Sequence, residues 1–197
     1  IYLQKWAVPA PTSDWFNSAN WTTNAVPAPN TNAAIPAGAG NIQINSADVV
    51  MNDLMLNGGT LTIGVGRTLT INGILGLNGG SINGDGTLVI TNCQQEGIMG
   101  GGSTSYIQTT LVRCVAPGET FNFEVGTPNG YAPVSIIDIT GTGNISVKAN
   151  QGAYSGPAMY LPANRLGRWW QIENPGGGVT NSEVIFSYQQ GDIVGNE

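Results

Sequence analysis

Between Ile35 and Ile90 apolar and polar residues alternate in short runs, and turn residues separate the runs at nearly even intervals. Leu54-Met55-Leu56, Leu61-Thr62-Ile63, Leu69-Thr70-Ile71, Leu75-Gly76-Leu77 and Leu88-Val89-Ile90 each place aliphatics two positions apart. A period of two predicts strands with one buried face. Asn57-Gly58-Gly59, Asn72-Gly73, Asn78-Gly79-Gly80 and Asn83-Gly84-Asp85-Gly86 lie between the runs. Asn-Gly supplies the positive φ that a tight corner requires.

The spacing selects an architecture. Leu54, Leu61 and Leu69 are too close for hairpin arms with long loops, but they suit a chain that coils with three short strands per turn. Ile35, Leu56 and Leu77 recur every 21 residues. In the same register Ile42 and Ile44 stack under Leu61 and Ile63, with Ile82 beyond, and Val49 leads to Leu69 and Ile71 and on to Leu88 and Ile90. Interior positions stacked one coil apart describe a parallel β-helix. A sandwich of antiparallel hairpins is the competing reading, and Asn-Gly corners serve both.

The rest of the chain reads differently. Residues 1–34 hold Trp6, Trp15, Phe16 and Trp21 among Pro9, Pro11, Pro27 and Pro29. We read them as a cap over the open end of the solenoid, which would otherwise expose strand edges and core; an aromatic platform for sugar rings is the alternative. Residues 35–115 form the solenoid, with a transitional stretch after Ile90 that contains the glycine run of 97–102. Beyond about 116 longer strands are expected at Phe121–Val125, Ala132–Thr140, Gly143–Ala149, Arg168–Glu173 and Glu183–Tyr188, separated by Pro/Gly/Asn turns. The fold class is therefore all-β: a short parallel β-helix of three strands per coil, then a small antiparallel β-sandwich over 116–197, expected to be part of a longer polypeptide.

Charge and cysteines narrow the setting. Only 9% of residues are charged, so the surface is expected to be one of amides and hydroxyls, common in secreted β-rich proteins. A net charge of −6 with six dispersed Lys and Arg argues against a nucleic-acid partner. No run approaches the ~18 apolar residues of a membrane-spanning helix. Cys93 and Cys114 are compatible with a disulfide, two buried free thiols being the alternative.

Little in the sequence speaks for catalysis. The chain has no histidine, which removes Ser-His-Asp and Cys-His chemistry and leaves zinc without a tetrahedral ligand set. A glycosidase needs two facing carboxylates, yet Asp48, Asp53 and Asp85, the acids of the coiled region, do not repeat at one coil position. Asn83-Gly84-Asp85-Gly86 lacks the nonapeptide repeat of calcium-binding β-rolls and reads as a plain turn. No catalytic residue, cofactor or metal is expected. Trp15, Trp21, Tyr160, Trp169 and Trp170 remain as aromatics that could meet a ligand or partner. Trp169 and Trp170 are adjacent on one expected strand, so their rings point to opposite faces, with Arg165 or Arg168 available as a cation–π partner.

Trp15-Phe16-Asn17-Ser18-Ala19-Asn20-Trp21-Thr22, followed by Val26-Pro27 and Ala34-Ile35-Pro36, resembles the opening motif of large secreted surface proteins of the Bacteroidetes. Gly59-Thr60-Leu61-Thr62-Ile63, Leu69-Thr70-Ile71-Asn72-Gly73 and Asn164-Arg165-Leu166-Gly167-Arg168-Trp169-Trp170-Gln171-Ile172 follow in the order that group shows. The resemblance implies an extracellular, multidomain, adhesin-like or filament-associated protein of the bacterial cell surface; neighbouring domains or subunits are the expected partners, with polysaccharide as a further candidate. It carries over no catalytic residue. A carbohydrate-binding module is the alternative function, and a β-helical polysaccharide lyase or hydrolase a third.

Overall fold

The computed structural model describes residues 3–154 and 165–195. A short strand, β1 (Leu3–Lys5), precedes four coils. The first coil comprises β2 (Asn32–Ile35), β3 (Asn41–Ile44) and β4 (Val49–Met51). The second comprises β5 (Leu54–Ile63) and β6 (Thr68–Ile71), and the third β7 (Leu75–Asn83) and β8 (Thr87–Ile90). The fourth comprises β9 (Ile98–Gly100), β10 (Ser105–Ile107) and β11 (Thr110–Val115).

All pairings between coils are parallel, and the coils stack in the order expected from the sequence, with Ile35, Leu56 and Leu77 keeping the 21-residue step. Ile35 lies opposite Leu56, and Leu56 opposite Leu77. Ile42 pairs with Leu61, Leu61 with Ile82 and Ile82 with Ile107. Leu69 pairs with Leu88, and Leu88 with Leu111. These aliphatics are buried in one core, because each fills the space above its equivalent on the preceding coil. The fourth coil falls within the solenoid expected over 35–115, but its first strand, β9, was concealed by the glycine run, which carries no alternation. The separate strands expected at Leu54–Leu56 and Leu61–Ile63 are one strand bent at its corner, and β7 repeats the arrangement. The bend requires glycine: Gly80 has φ +75°, and a Cβ there would stand 2.2 Å from the Gly59 carbonyl oxygen of the coil before.

The C-terminal half contains β12 (Phe121–Phe123), the small hairpin β13 (Gly126–Thr127) and β14 (Gly130–Tyr131), β15 (Val134–Thr140) and β16 (Gly143–Gln151). After these come β17 (Arg165–Leu166), β18 (Arg168–Glu173), β19 (Asn181–Phe186) and β20 (Ile193–Val194). β12, β15 and β19 form an antiparallel sheet. β16 instead pairs antiparallel with β11 of the last coil and carries β18 on its far edge. One six-stranded sheet, in the order β18-β16-β11-β8-β6-β4, therefore runs from the solenoid into the antiparallel half. Phe121, Phe123, Val134 and Ile136 of one sheet and Ile145 and Val147 of the other belong to the same buried cluster as the coil aliphatics.

The first thirty residues contribute β1, which adds a parallel strand to β2, and a tight group of tryptophans. Trp15 and Trp21 are 0% and 1% exposed, with ring centroids 4.7 Å apart in an edge-to-face contact, and Trp6 meets Trp21 at 5.2 Å. The Trp21 Nε1–H donates to the Trp15 carbonyl at 2.9 Å, and the Trp15 amide donates to the Gln43 carbonyl of the first coil at 3.0 Å.

Candidate functional site: the polar joint and the aromatic edge

Where the last coil meets the antiparallel half, the chain buries several charged groups. Arg113 leaves β11 toward the interior and is 1% exposed. Its guanidinium donates to the Asn122 carbonyl at 2.7 Å, to the Gln94 carbonyl at 3.2 Å and to the Gln95 carbonyl, and lies 4.8 Å from the centre of the Phe121 ring. Burial draws its pKa down to about 10, against the opposing pull of Glu124, Glu119 and Glu96, so it stays cationic at neutral pH.

Glu124 lies beside it, accepting the hydroxyl hydrogen of Tyr131. Burial pushes the Glu124 carboxyl above its usual range, partly offset by the Tyr131 hydroxyl and by Arg113. Burial and the same hydrogen bond push the Tyr131 phenol upward. A Cβ at Gly101, whose φ is +97°, would stand 2.6 Å from Glu124 Oε2. The glycine run of the fourth coil is thus the space into which this carboxylate folds.

A second buried pair closes the other side. Arg168 Nη2 donates to Asp192 Oδ1 at 2.8 Å, with the two side chains 0% and 7% exposed, and Arg168 Nη1 donates to the Gly130 carbonyl at 3.0 Å. Asp192 Oδ2 accepts the Gln189 amide at 2.9 Å. Cys93 and Cys114 form the disulfide, with Cα atoms 4.5 Å apart, and tie the segment after β8 to β11 of the next coil.

The sequence-selected aromatics do not converge. Trp15 and Trp21, weighed as a sugar platform, present no ring to solvent; both are consumed by packing against the first coil. Tyr160 lies outside the described residues. Trp170 faces the core side of β18, where its Nε1–H donates to the Ala132 carbonyl at 3.0 Å and its ring lies 5.0 Å from that of Phe186. Trp169 turns the other way and meets Tyr154 edge-on at 4.9 Å. Arg168, read as a cation–π partner, is engaged with Asp192 instead. Near this edge Tyr154, Ile185, Phe186 and Tyr188 are substantially exposed.

The exterior of the coils carries a different chemistry. Thr62 Oγ1 lies 3.0 Å from Asn41 Oδ1 and 2.7 Å from Asn83 Oδ1, spanning three coils. Asn78 donates to Asn57 Oδ1 at 3.0 Å, and Thr91 donates to Asn72 Oδ1 at 2.9 Å. These side chains bind each other from coil to coil.

Arg113, Glu124 and Asp192 were not singled out from the sequence. Most of the acceptors of Arg113 and Arg168 are backbone carbonyls that become neighbours only on folding, and no local motif announces them. The shifted groups Arg113, Glu124 and Tyr131 are committed to holding the joint: Arg113 has its carbonyl acceptors, and Glu124 accepts from Tyr131. Among the described residues no three metal-ligating side chains gather, and no helix is long and apolar enough to cross a membrane.

The coordinates define a class of molecule, a four-coil β-solenoid sharing one sheet with an antiparallel sandwich. No family model, curated protein or solved structure matches the chain.

Proposed function

We propose that the chain is a non-catalytic structural and adhesive module of a bacterial cell surface or extracellular filament. The observation that carries this reading is the six-stranded sheet shared by the solenoid and the antiparallel half, which makes the two parts one stiff body. The disulfide supports an oxidising, extracytoplasmic setting. The commitment of the buried charges to backbone carbonyls and to each other supports holding over turnover, since a general acid or base must reach a substrate.

The test pairs retention with chemistry. Beads carrying the full chain are drawn under flow over glycan-coated and protein-coated surfaces, and the soluble protein is incubated with acidic and neutral polysaccharides in calcium. Retention above that of bare beads, with no new reducing ends or unsaturated sugars, is the expected result. Product release overturns the reading, as does retention no better than bare beads on every surface.

A carbohydrate-binding module is the second reading, favoured by the Trp169–Tyr154 contact and the exposed rings of Phe186 and Tyr188. Sugar rings stack on such apolar faces. Affinity electrophoresis through polysaccharide gels tests it: wild type should be retarded and Trp169→Ala less so, and unchanged mobility in every gel removes the reading.

A further inference from the structure

The chain contains five Asn-Gly pairs, at 57–58, 72–73, 78–79, 83–84 and 129–130. Asn-Gly is the dipeptide most open to intramolecular attack, because glycine has no Cβ to shield its backbone nitrogen. That nitrogen attacks the asparagine side-chain carbonyl carbon, the C–N bond of the amide breaks, and ammonia leaves with the transferred proton. Water then opens the resulting succinimide at either carbonyl, giving aspartate or isoaspartate. No oxidant is needed, and water is the one co-reactant.

Four of the five pairs are held against this reaction by the coils. Asn57 and Asn78 lie within β5 and β7 and Asn83 closes β7, where pairing between coils holds the main chain in place. Their side chains are also engaged: Asn57 with Asn78, and Asn83 with Thr62. Asn72 accepts from Thr91, and the Gly73 amide, the would-be nucleophile, donates to the Asn52 carbonyl at 2.8 Å. The glycines after Asn78 and Asn83 are hemmed in, since a Cβ at Gly79 or Gly84 would stand 2.8 Å and 2.1 Å from carbonyl oxygens of the preceding coil.

Asn129 is held less tightly, and a Cβ at Gly130 would meet the Gln189 side chain at 2.9 Å where those at Gly79 and Gly84 meet main-chain carbonyls. Asn129 is exposed, it lies in the two-residue turn between β13 and β14, and its side chain makes no hydrogen bond among the described residues. The glycine that follows it is the one whose carbonyl receives Arg168 Nη1. We propose that Asn129-Gly130 is a self-modification site, the Asn-Gly pair of the folded chain that converts to aspartate and isoaspartate, and that the conversion loosens the Arg168 contact at the joint. Isoaspartate routes the main chain through the side-chain carbon, adding a backbone atom immediately before Gly130 and displacing its carbonyl from the guanidinium.

The experiment ages the full chain at mildly alkaline pH and body temperature, then maps peptides by mass spectrometry, with isoaspartate read by enzymatic methylation. The Asn129 peptide should convert several-fold faster than the four coil peptides. In urea, with the disulfide reduced, the five rates should approach one another. Equal conversion of all five in the folded chain, or a coil asparagine leading, overturns the proposal. Asn129→Asp supplies the charge without the extra backbone atom, so the isoaspartyl form should melt below both wild type and this variant. Equal melting of the isoaspartyl form and Asn129→Asp overturns the loosening.

Discussion

Arg168 and Asp192 face each other across 2.8 Å, in a position closed to solvent, and join the last strand of the shared sheet to the segment before β20. Removing one partner of a buried pair leaves the other charged and without compensation, at a cost of about 3–5 kcal/mol. Asp192→Ala should lower the denaturant midpoint by a corresponding amount. Arg168→Met, which removes the cation but keeps an apolar stem, leaves Asp192 as the uncompensated charge and should also destabilise. The double variant should recover part of the loss, measured as a coupling energy in a double-mutant cycle.

The Cys93–Cys114 bridge closes a segment of 21 residues between the third and fourth coils. On the chain-entropy account, such a loop contributes about 3 kcal/mol by restricting the unfolded chain. Cys93→Ser with Cys114→Ser should therefore fold to the same far-ultraviolet spectrum but unfold at lower urea. The wild-type protein should fall to that value on addition of a strong reductant.

Gly80 and Gly66 both have positive φ, at +75° and +68°, yet only Gly80 lies under a neighbouring coil. Alanine at Gly66 meets nothing within 4 Å and should cost only the backbone term, about 1–2 kcal/mol. Alanine at Gly80 must also push the Gly59 carbonyl aside, so its melting temperature should fall well below that of Gly66→Ala. Equal effects would show that the bent corner of β7 gives way without cost.

The stacking order of the coils was legible because the same aliphatic positions return every 21 residues, and one such return fixes the next. Ile35, Leu56 and Leu77 could be aligned for that reason. The register of the fourth coil, though inside the expected solenoid, was not legible, because Gly100 stands where the pattern needs an aliphatic opposite Leu77. β1 also escaped notice: Leu3-Gln4-Lys5 is too short to show a period. The disulfide partners were legible because the chain has two cysteines. The acceptors of Arg113 were not, since a main-chain carbonyl has no letter in the sequence.

Glu124 gives the joint a dependence on pH. Its carboxyl is pushed upward in the folded chain, so on mild acidification the folded protein takes up this proton before the unfolded one does. The contribution of Glu124 is thus most favourable below its unfolded pKa and is lost as pH rises through the folded value. Glu124→Gln mimics the protonated state and should be more stable than wild type at neutral pH, with the difference shrinking toward acid. Parallel curves of melting temperature against pH for the two proteins would contradict this.

β11 takes β8 in parallel along one edge and β16 in the opposite sense along the other. A fifth coil would need that second edge running the same way, so winding stops here. The number of turns is consequently written into the gene and cannot be increased by docking another molecule onto this end of β11. Lengthening such a rod calls for inserting whole repeats upstream of the stopper, with their amides in step with the Asn41–Thr62–Asn83 row.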